Sequence, residues 1–310
     1  VERPTPGPGN GELLVAVEAA GVSRADVIQR KGLYPPPPGH SDIPGLEVAG
    51  TVAAVGEGVR GWHVGDRVCA LVNGGGYAEY AIVPAAQALI VPKHWSTLES
   101  ATLPENAFTV YDNLFTRARL RRGETVLIHG GTSGIGSTAV MFAKAFGARV
   151  IVTVGSDEKC IAARQIGADY AIDYNRADFV EEGRRFTDGL GANVVLDIVG
   201  GDYIPRDLEV LALDGRIVCI ATMGGAQTEL NLAKLMGRRA SIMGSSLRPR
   251  TTEQKGAIAK ALRERVWPLL PKRDPIKPLV DATFTFEHAG DAHRRMESSA
   301  HVGKILLTPR

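Results

Sequence analysis

Cysteine, surplus charge and long apolar runs are all scarce in this chain, and each shortage removes a class of protein. The three cysteines, Cys69, Cys160 and Cys219, are odd in number and far apart. A disulfide framework is therefore not expected, a reducing compartment is, and the cytoplasm is the expected location. Lacking any Cys-x-x-Cys pair, the chain offers no cluster for a structural zinc. Its 36 basic residues face 34 acidic ones, a balance that leaves no electrostatic footprint for nucleic acid or an anionic membrane. No apolar run approaches the ~18 residues of a membrane span.

What is present reads as a two-part globular enzyme. The 310 residues, 44% hydrophobic and 23% charged, suffice for two packed domains or one large one. Up to about residue 105, short β-rich runs such as "ELLVAVEAAGV", "VAGTVAAVG", "DRVCALV" and "AEYAIVP" sit between Gly and Pro breakers. That texture predicts a small antiparallel barrel or sandwich, with "GEGVRGWHVGD" as a hairpin connection. Helical spacing is scarce until "ESATLPENAFTVYDNLFTRARL". The run "PPPP" at 35–38 reads as a stiff loop. From residue 125, strands alternate with helical patterns: 125–130, 149–154, 170–173, 193–199, 216–221 and 240–243. Six strands with crossovers predict a doubly wound parallel sheet. Beyond Ser245 come one more helix and two strands, "DATFTF" and "GKILLT". They are read as lacking crossover helices and as returning to complete the first domain.

The stretch "HGGTSGIG", between "TVLI" and a long helical pattern, places Gly131, Gly134 and Gly136 at a strand-to-helix turn. There, backbone N–H groups and the helix dipole face a pyrophosphate. No Gly-Lys-Ser/Thr follows, which excludes a Walker-type site. A short-chain dehydrogenase would carry the loop near its N-terminus and need Tyr-x-x-x-Lys, yet no tyrosine here has a lysine four residues on. A dinucleotide-binding domain placed after a β-rich catalytic domain accounts for the whole length.

"GLEVAGTVAAVGEGVRGWHVGDRV" with "GGGYAEYAIVP" resembles the GroES-like catalytic domain of medium-chain dehydrogenase/reductases. With "LPENAFTVYDNL", "VLIHGGTSGIG" and "LDIVGG", the chain is similar to the zinc-free quinone oxidoreductases, the zeta-crystallin group. The resemblance implies an α/β fold with a GroES-like domain at 1–107, a Rossmann domain at 108–245 and a return segment at 246–310. It also implies one strand or hairpin before Val1, where any targeting signal would lie. Zinc-dependent relatives hold their metal with a cysteine and a histidine where this chain has Ser23 and Leu46, and neither replaces a thiolate or imidazole. A metal-free, NADPH-dependent reductase of quinones or enones is what the resemblance implies.

Cofactor choice is read at the end of the second Rossmann strand. "VTVGSDEK" puts Gly155 and Ser156 there, ahead of Asp157 and Glu158. Two readings stand: Ser156 as an N-cap and Lys159 as a solvated charge, or Ser156, Lys159 and Tyr174 around a 2′-phosphate. The second matches the family and favours NADPH. Thr132, Ser133 and Ile135 complete the pyrophosphate loop. Met223 and Gly224 of "ATMGG" are expected beside the nicotinamide through their backbone groups, with Thr109 and Ser246 as further candidates. By resemblance Ser23, Asp26 and Tyr34 take the catalytic end, in a cleft between the domains. Relatives often have asparagine where Ser23 stands, and Tyr34 is equally readable as a loop tyrosine packed on "PPPP". No general acid stands out. An enoyl or 2-alkenal reductase, and a non-catalytic crystallin or RNA-binding protein, are the competing functions. The apolar edge strand "ASIMGSSL" predicts a homodimer joined near Ser241 to Leu247.

Overall fold

A computed structural model describes residues 2–272 and 274–309. The chain divides into two compact units, one running up to Phe108 and resuming at Leu247, the other spanning Thr109–Ser246. Each is an α/β unit built on its own sheet.

The first unit holds a seven-stranded sheet in the order β12-β13-β1-β2-β3-β5, with β4 also paired to β1. Its strands are β1 (Glu12–Val22), β2 (Glu47–Val55), β3 (Arg67–Leu71), β4 (Tyr80–Pro84) and β5 (Ala88–Ile90), with β12 (Val280–Thr285) and β13 (Lys304–Thr308) arriving from the C-terminal segment. Leu13, Val15 and Val17 point inward from β1 onto Val48, Val52 and Val68, the period-two pattern of a sheet with one buried face. Gly50 lets β1 and β2 close up, since a Cβ there would stand 2.0 Å from the Ala16 carbonyl oxygen. Helices α1 (Arg24–Arg30), α2 (Thr97–Ser100) and α3 (Pro104–Val110) accompany the N-terminal strands, the last passing into a π-helical stretch at Tyr111–Arg117.

The second unit is a six-stranded sheet in the order β11-β10-β9-β6-β7-β8, parallel throughout. Its strands are β6 (Thr125–His129), β7 (Arg149–Val154), β8 (Tyr170–Asp173), β9 (Ala192–Asp197), β10 (Leu211–Cys219) and β11 (Ser241–Gly244). In sequence terms the order is 6-5-4-1-2-3, the doubly wound arrangement read from the alternation of strands and helices. Helices α4 (Gly134–Ala145), α5 (Asp157–Ile166), α6 (Phe179–Phe186), α7 (Tyr203–Val210) and α8 (Leu232–Arg238) make the connections. β6 and most of β7 are buried on both faces, which is why "TVLIH" and "VIVTV" are continuously β-branched or apolar instead of alternating.

Two expectations are corrected. Helix begins well before Glu99, because α1 forms over "RADVIQR", a segment too short to display a helical period. The tail strands do have a crossover: β12 and β13 are parallel neighbours, with Phe284 opposite Leu307. Between them runs α10 (Ala289–Glu297), after α9 (Thr252–Arg265). Parallel neighbours cannot be joined by a tight turn. α10 escaped notice because only Ala292, His293 and Met296 of its nine residues are buried.

Glycine chemistry offers a direct test of this packing. Gly50→Ala forces a methyl onto the Ala16 backbone and should cost about 3 kcal/mol. Gly237→Ala, in α8 with nothing within 4 Å of its added Cβ, should be neutral or stabilise by up to ~1 kcal/mol. Denaturant unfolding of both variants checks the contrast.

Candidate functional site

The loop after β6 is shaped by contacts that admit only glycine. Gly130 has φ +71°, and the N–H groups of Gly130 and Gly131 both donate to the Thr153 carbonyl, at 3.0 and 3.1 Å. A Cβ on Gly131 would lie 2.4 Å from Val152, and one on Gly136 would lie 2.1 Å from the Gly130 carbonyl oxygen. Helix α4 can therefore start hard against the strand ends. Ser133 is its N-cap, accepting from the Gly136 N–H at 3.0 Å. Thr132 is buried, while Ser133, Gly134 and Ile135 are partly exposed. The first N–H groups of a helix have no acceptor within it, so those of Gly134 and Ile135, with the helix dipole behind them, fit the pyrophosphate of a dinucleotide.

Beneath this loop lies a group that sequence reading passed over. His129 Nε2 meets Asp207 Oδ1 at 2.8 Å and His129 Nδ1 meets Thr153 Oγ1 at 2.9 Å. Asp197, close by, accepts from the N–H groups of Val199 at 2.6 Å and Gly200 at 2.9 Å. His129 thus ties the ends of β6 and β7 to α7, and Asp197 holds the turn that follows β9.

At the end of β7, Gly155 makes room for Tyr174, whose hydroxyl would stand 2.6 Å from a Cβ at that position. Ser156 caps α5, accepting from the Lys159 N–H at 3.3 Å. The N-cap reading of Ser156 is thus correct as far as it goes, and it leaves Lys159 in the first turn beside the same strand end. Asp157 is turned onto Arg176, 2.5 Å away. Its charge is matched by that guanidinium, and the neighbouring Glu158 carboxylate is engaged by Ser156. Arg176 was missed in the sequence, although it stands two residues after Tyr174.

The loop after β10 runs beside the one after β9. The N–H groups of Met223 and Gly224 donate to Ile198 and Val199 carbonyls at 3.3 and 2.7 Å. Their donors are thus engaged within the protein, so of the expected backbone groups the carbonyls remain, with the exposed Met223 side chain. Thr109 and Ser246 are the first and last residues of the second unit.

In the first unit the structure joins Ser23 and Asp26 and sets Tyr34 apart. Asp26 is fully buried. Its carboxylate accepts from the N–H groups of Ser23 (2.7 Å) and Gly45 (3.0 Å) and from the Tyr77 hydroxyl (3.1 Å). It cannot touch an acceptor, contrary to expectation; it holds Ser23 in place. Tyr77 also meets His293 Nε2 at 3.2 Å, and His293 Nδ1 faces Arg30 at 3.4 Å. Arginine can only donate, so Nδ1 accepts, Nε2–H donates to Tyr77, and the phenol donates to Asp26. Tyr34 packs on Arg248, whose guanidinium lies 5.0 Å from its ring centroid and donates to the Tyr34 carbonyl at 3.1 Å.

Lys304 supplies what sequence analysis lacked. Its buried ammonium donates to Ser23 Oγ at 3.0 Å, ion-pairs with Glu47 and lies 3.6 Å from Glu105. Glu47 in turn accepts the Glu105 N–H at 2.9 Å. Its carboxylate fits only because residue 21 is glycine. The clue was an ionisable residue inside each of two apolar runs, "GLEVAG" and "GKILLT", but nothing in either says that they meet.

Residues 9–93 match the alcohol dehydrogenase GroES-like domain, and residues 134–263 match the zinc-binding dehydrogenase family. The chain is 31% identical to the quinone oxidoreductase of Rattus norvegicus, over 97% of this chain and 90% of that one. Among solved structures, JamJ enoyl reductase superposes with a TM-score of 0.87 at 26% identity, covering 99% of this chain and 94% of the other. A mycobacterial protein solved with NADPH gives 0.86 at 31%, covering 100% and 94%. The fold and these matches define an oxidoreductase of the medium-chain dehydrogenase/reductase superfamily. Within it, the chain belongs to the zinc-independent quinone oxidoreductase, or zeta-crystallin, branch. Among the described residues no helix is long and apolar enough to cross a membrane.

Burial raises the Asp26 carboxyl from its ordinary 3.8 to about 6. The folded state then binds this proton more tightly than the unfolded chain, so the stabilisation is full below about pH 4 and is lost as pH rises through about 6. Relative to Asp26→Asn, the wild type should lose about 3 kcal/mol between pH 4 and 7, at ~1.4 kcal/mol per pH unit. Denaturant titrations of both proteins at the two pH values measure the gap, and a constant gap refutes the assignment.

Proposed function

We propose that this protein transfers hydride from NADPH to a quinone or similarly conjugated carbonyl without a catalytic metal. The observation that carries the reading is the Lys304 ammonium, 3.0 Å from Ser23 Oγ. That ammonium engages the Ser23 hydroxyl, and neither Ser23 nor Leu46 offers a thiolate or imidazole, so the place where zinc-dependent relatives bind metal is here chemically unsuited to it. An alcohol oxidised without a metal lacks the Lewis acid that stabilises its developing alkoxide. A quinone accepts hydride readily and spreads the resulting charge over its own oxygens, so positioning supplies most of the catalysis.

Bound NADPH would supply the hydride. The N–H groups of Gly134 and Ile135 would hold its pyrophosphate, while Ser156, Lys159 and Tyr174 would surround its 2′-phosphate. The pairing of Asp157 with Arg176 supports NADPH over NADH by engaging that carboxylate, with Lys159 beside the same strand end. Ser23 would face the acceptor oxygen, with Tyr34 offering its ring or hydroxyl to the acceptor. The likeness to JamJ enoyl reductase favours conjugated enones as the second acceptor class.

Purified protein treated exhaustively with chelator should still oxidise NADPH with quinones or enones and ignore simple alcohols. In the same assay Lys159→Ala should weaken NADPH by about 1–3 kcal/mol, the worth of a charge-assisted contact, and leave NADH nearly unchanged. Efficient ethanol oxidation, or zinc lost together with activity, would overturn the reading.

We also propose a homodimer joined through Ser241–Leu247. β11 pairs only with β10 and so presents an open edge, which a two-fold mate would cover. Sedimentation at micromolar concentration should give twice the 33.0 kDa chain mass; a monomeric mass removes this proposal.

A further inference from the structure

Two carboxylates and an ammonium meet around one serine hydroxyl in the first unit, drawn from β2, α3, β13 and the start of α1. The fold does not require ions there, because a well-packed apolar cluster is commonly as stable as a buried ion group. The hydroxyl's own bonding suggests their use. A serine has one O–H to donate and two lone pairs. Lys304 fills a lone pair at 3.0 Å, which polarises the O–H and makes it a stronger donor. The only partner seen for that proton is Glu105 Oε2 at 3.4 Å, beyond the 2.5–3.0 Å usual for O–H···O. So long a bond is easily exchanged for a better acceptor.

We propose that Ser23 delivers the proton to the reduced acceptor and that Lys304, backed by the Glu47 carboxyl group, resupplies it. This rests on the hydride-transfer reading given above. As hydride adds to the acceptor carbon, the conjugated electron pair moves to the carbonyl oxygen. The Ser23 O–H bond breaks as a new O–H bond forms on that oxygen. One Nζ–H of Lys304 passes to Ser23 Oγ, and the carboxyl proton restores the ammonium. The acceptor gains a hydride and a proton, and the carboxylate pair regains its proton from water.

The charges agree with this sequence. Two carboxylates against one ammonium leave a surplus negative charge in a buried place, which favours uptake of a proton. Burial, reinforced by Glu105, lifts the Glu47 carboxyl to about 7, against the pull of Lys304. The other ionisable groups facing the trio are Asp26 of α1, Cys69 of β3 and Tyr77 of the loop before β4. Asp26 is committed to its three donors. Burial, with carboxylates nearby, pushes the Cys69 thiol and the Tyr77 phenol up, so both stay neutral. No competing proton source adjoins Ser23 Oγ among the described residues.

The test uses the full chain with NADPH and para-benzoquinone, measuring kcat and KM against pH in H2O and D2O. Wild type should slow as pH rises through about 7 and should slow in D2O. Ser23→Ala should lower kcat about a hundredfold, the usual worth of general acid catalysis. Its KM should barely change, and both the alkaline fall and the D2O effect should vanish. Lys304→Met alone strands two buried carboxylates, so it is paired with Glu47→Gln, which should also abolish the alkaline fall. Lys304→Arg keeps the charge but holds its protons too tightly to pass one on, so its kcat should stay low. A Ser23→Ala enzyme with wild-type kcat and D2O effect overturns the proposal, as does an unchanged pH profile in the paired variant. A wild type that binds NADPH but reduces no acceptor removes the hydride reading instead, and shows it without any variant.

Discussion

The Lys304 ammonium ties the C-terminal return segment to Ser23 at the start of α1. It is 281 residues from Ser23 in sequence yet 3.0 Å from its hydroxyl, because β13 pairs antiparallel with the end of β1, Val22 opposite Ile305. Its hold on Glu47 fixes β2, and Glu47 takes the backbone N–H of Glu105 at the start of α3. One cation thus sets the relative positions of four segments. Removing one partner from such a group typically costs 3–5 kcal/mol, because the remainder is left as unpaired buried charge. The requirement reaches Gly21, where any side chain would displace the Glu47 carboxylate.

The second unit answers a different constraint: bringing backbone N–H groups close to a phosphate. Glycine solves it at 131 and 136 by allowing α4 to pack against Val152 and the Gly130 carbonyl. Under the loop, His129 binds Thr153 of β7 and Asp207 of α7, and Asp197 binds the turn at 199–200. The loop is therefore anchored by directional hydrogen bonds inside an otherwise apolar sheet. Such groups are stable when buried only because nearly every donor finds an acceptor.

The two units use polar burial in different ways. In the second it is structural, holding a loop in one shape. In the first, Asp26 is structural as well, receiving a chain that starts at Arg30 and passes through His293 and Tyr77. The Lys304 group beside it leaves a serine proton loosely held, 3.4 Å from Glu105. Arg248 belongs to the structural kind: it binds the carbonyls of Tyr34 and Asn73 and the side chain of Gln29, so the return segment grips the Tyr34 loop too.

The doubly wound sheet, its six strands and the strand-to-helix turn at Gly131–Gly136 were legible in the sequence, because each leaves a local periodic trace. β-branched runs mark strands buried on both faces, and glycine marks the closest backbone approach. The Ser156 cap was legible for the same reason. Helices α1 and α10 were not, being too short or too exposed to carry a period. The second-sphere residues of Ser23 were equally hidden. Glu47, Glu105 and Lys304 are ordinary charges in the sequence, and Asp26 reads like any polar residue near a site. Only the pairing of β13 with β1, a contact between the two ends of the chain, decides that Lys304 meets Ser23. Local sequence specifies local conformation; which distant charges neutralise one another is settled by strand register.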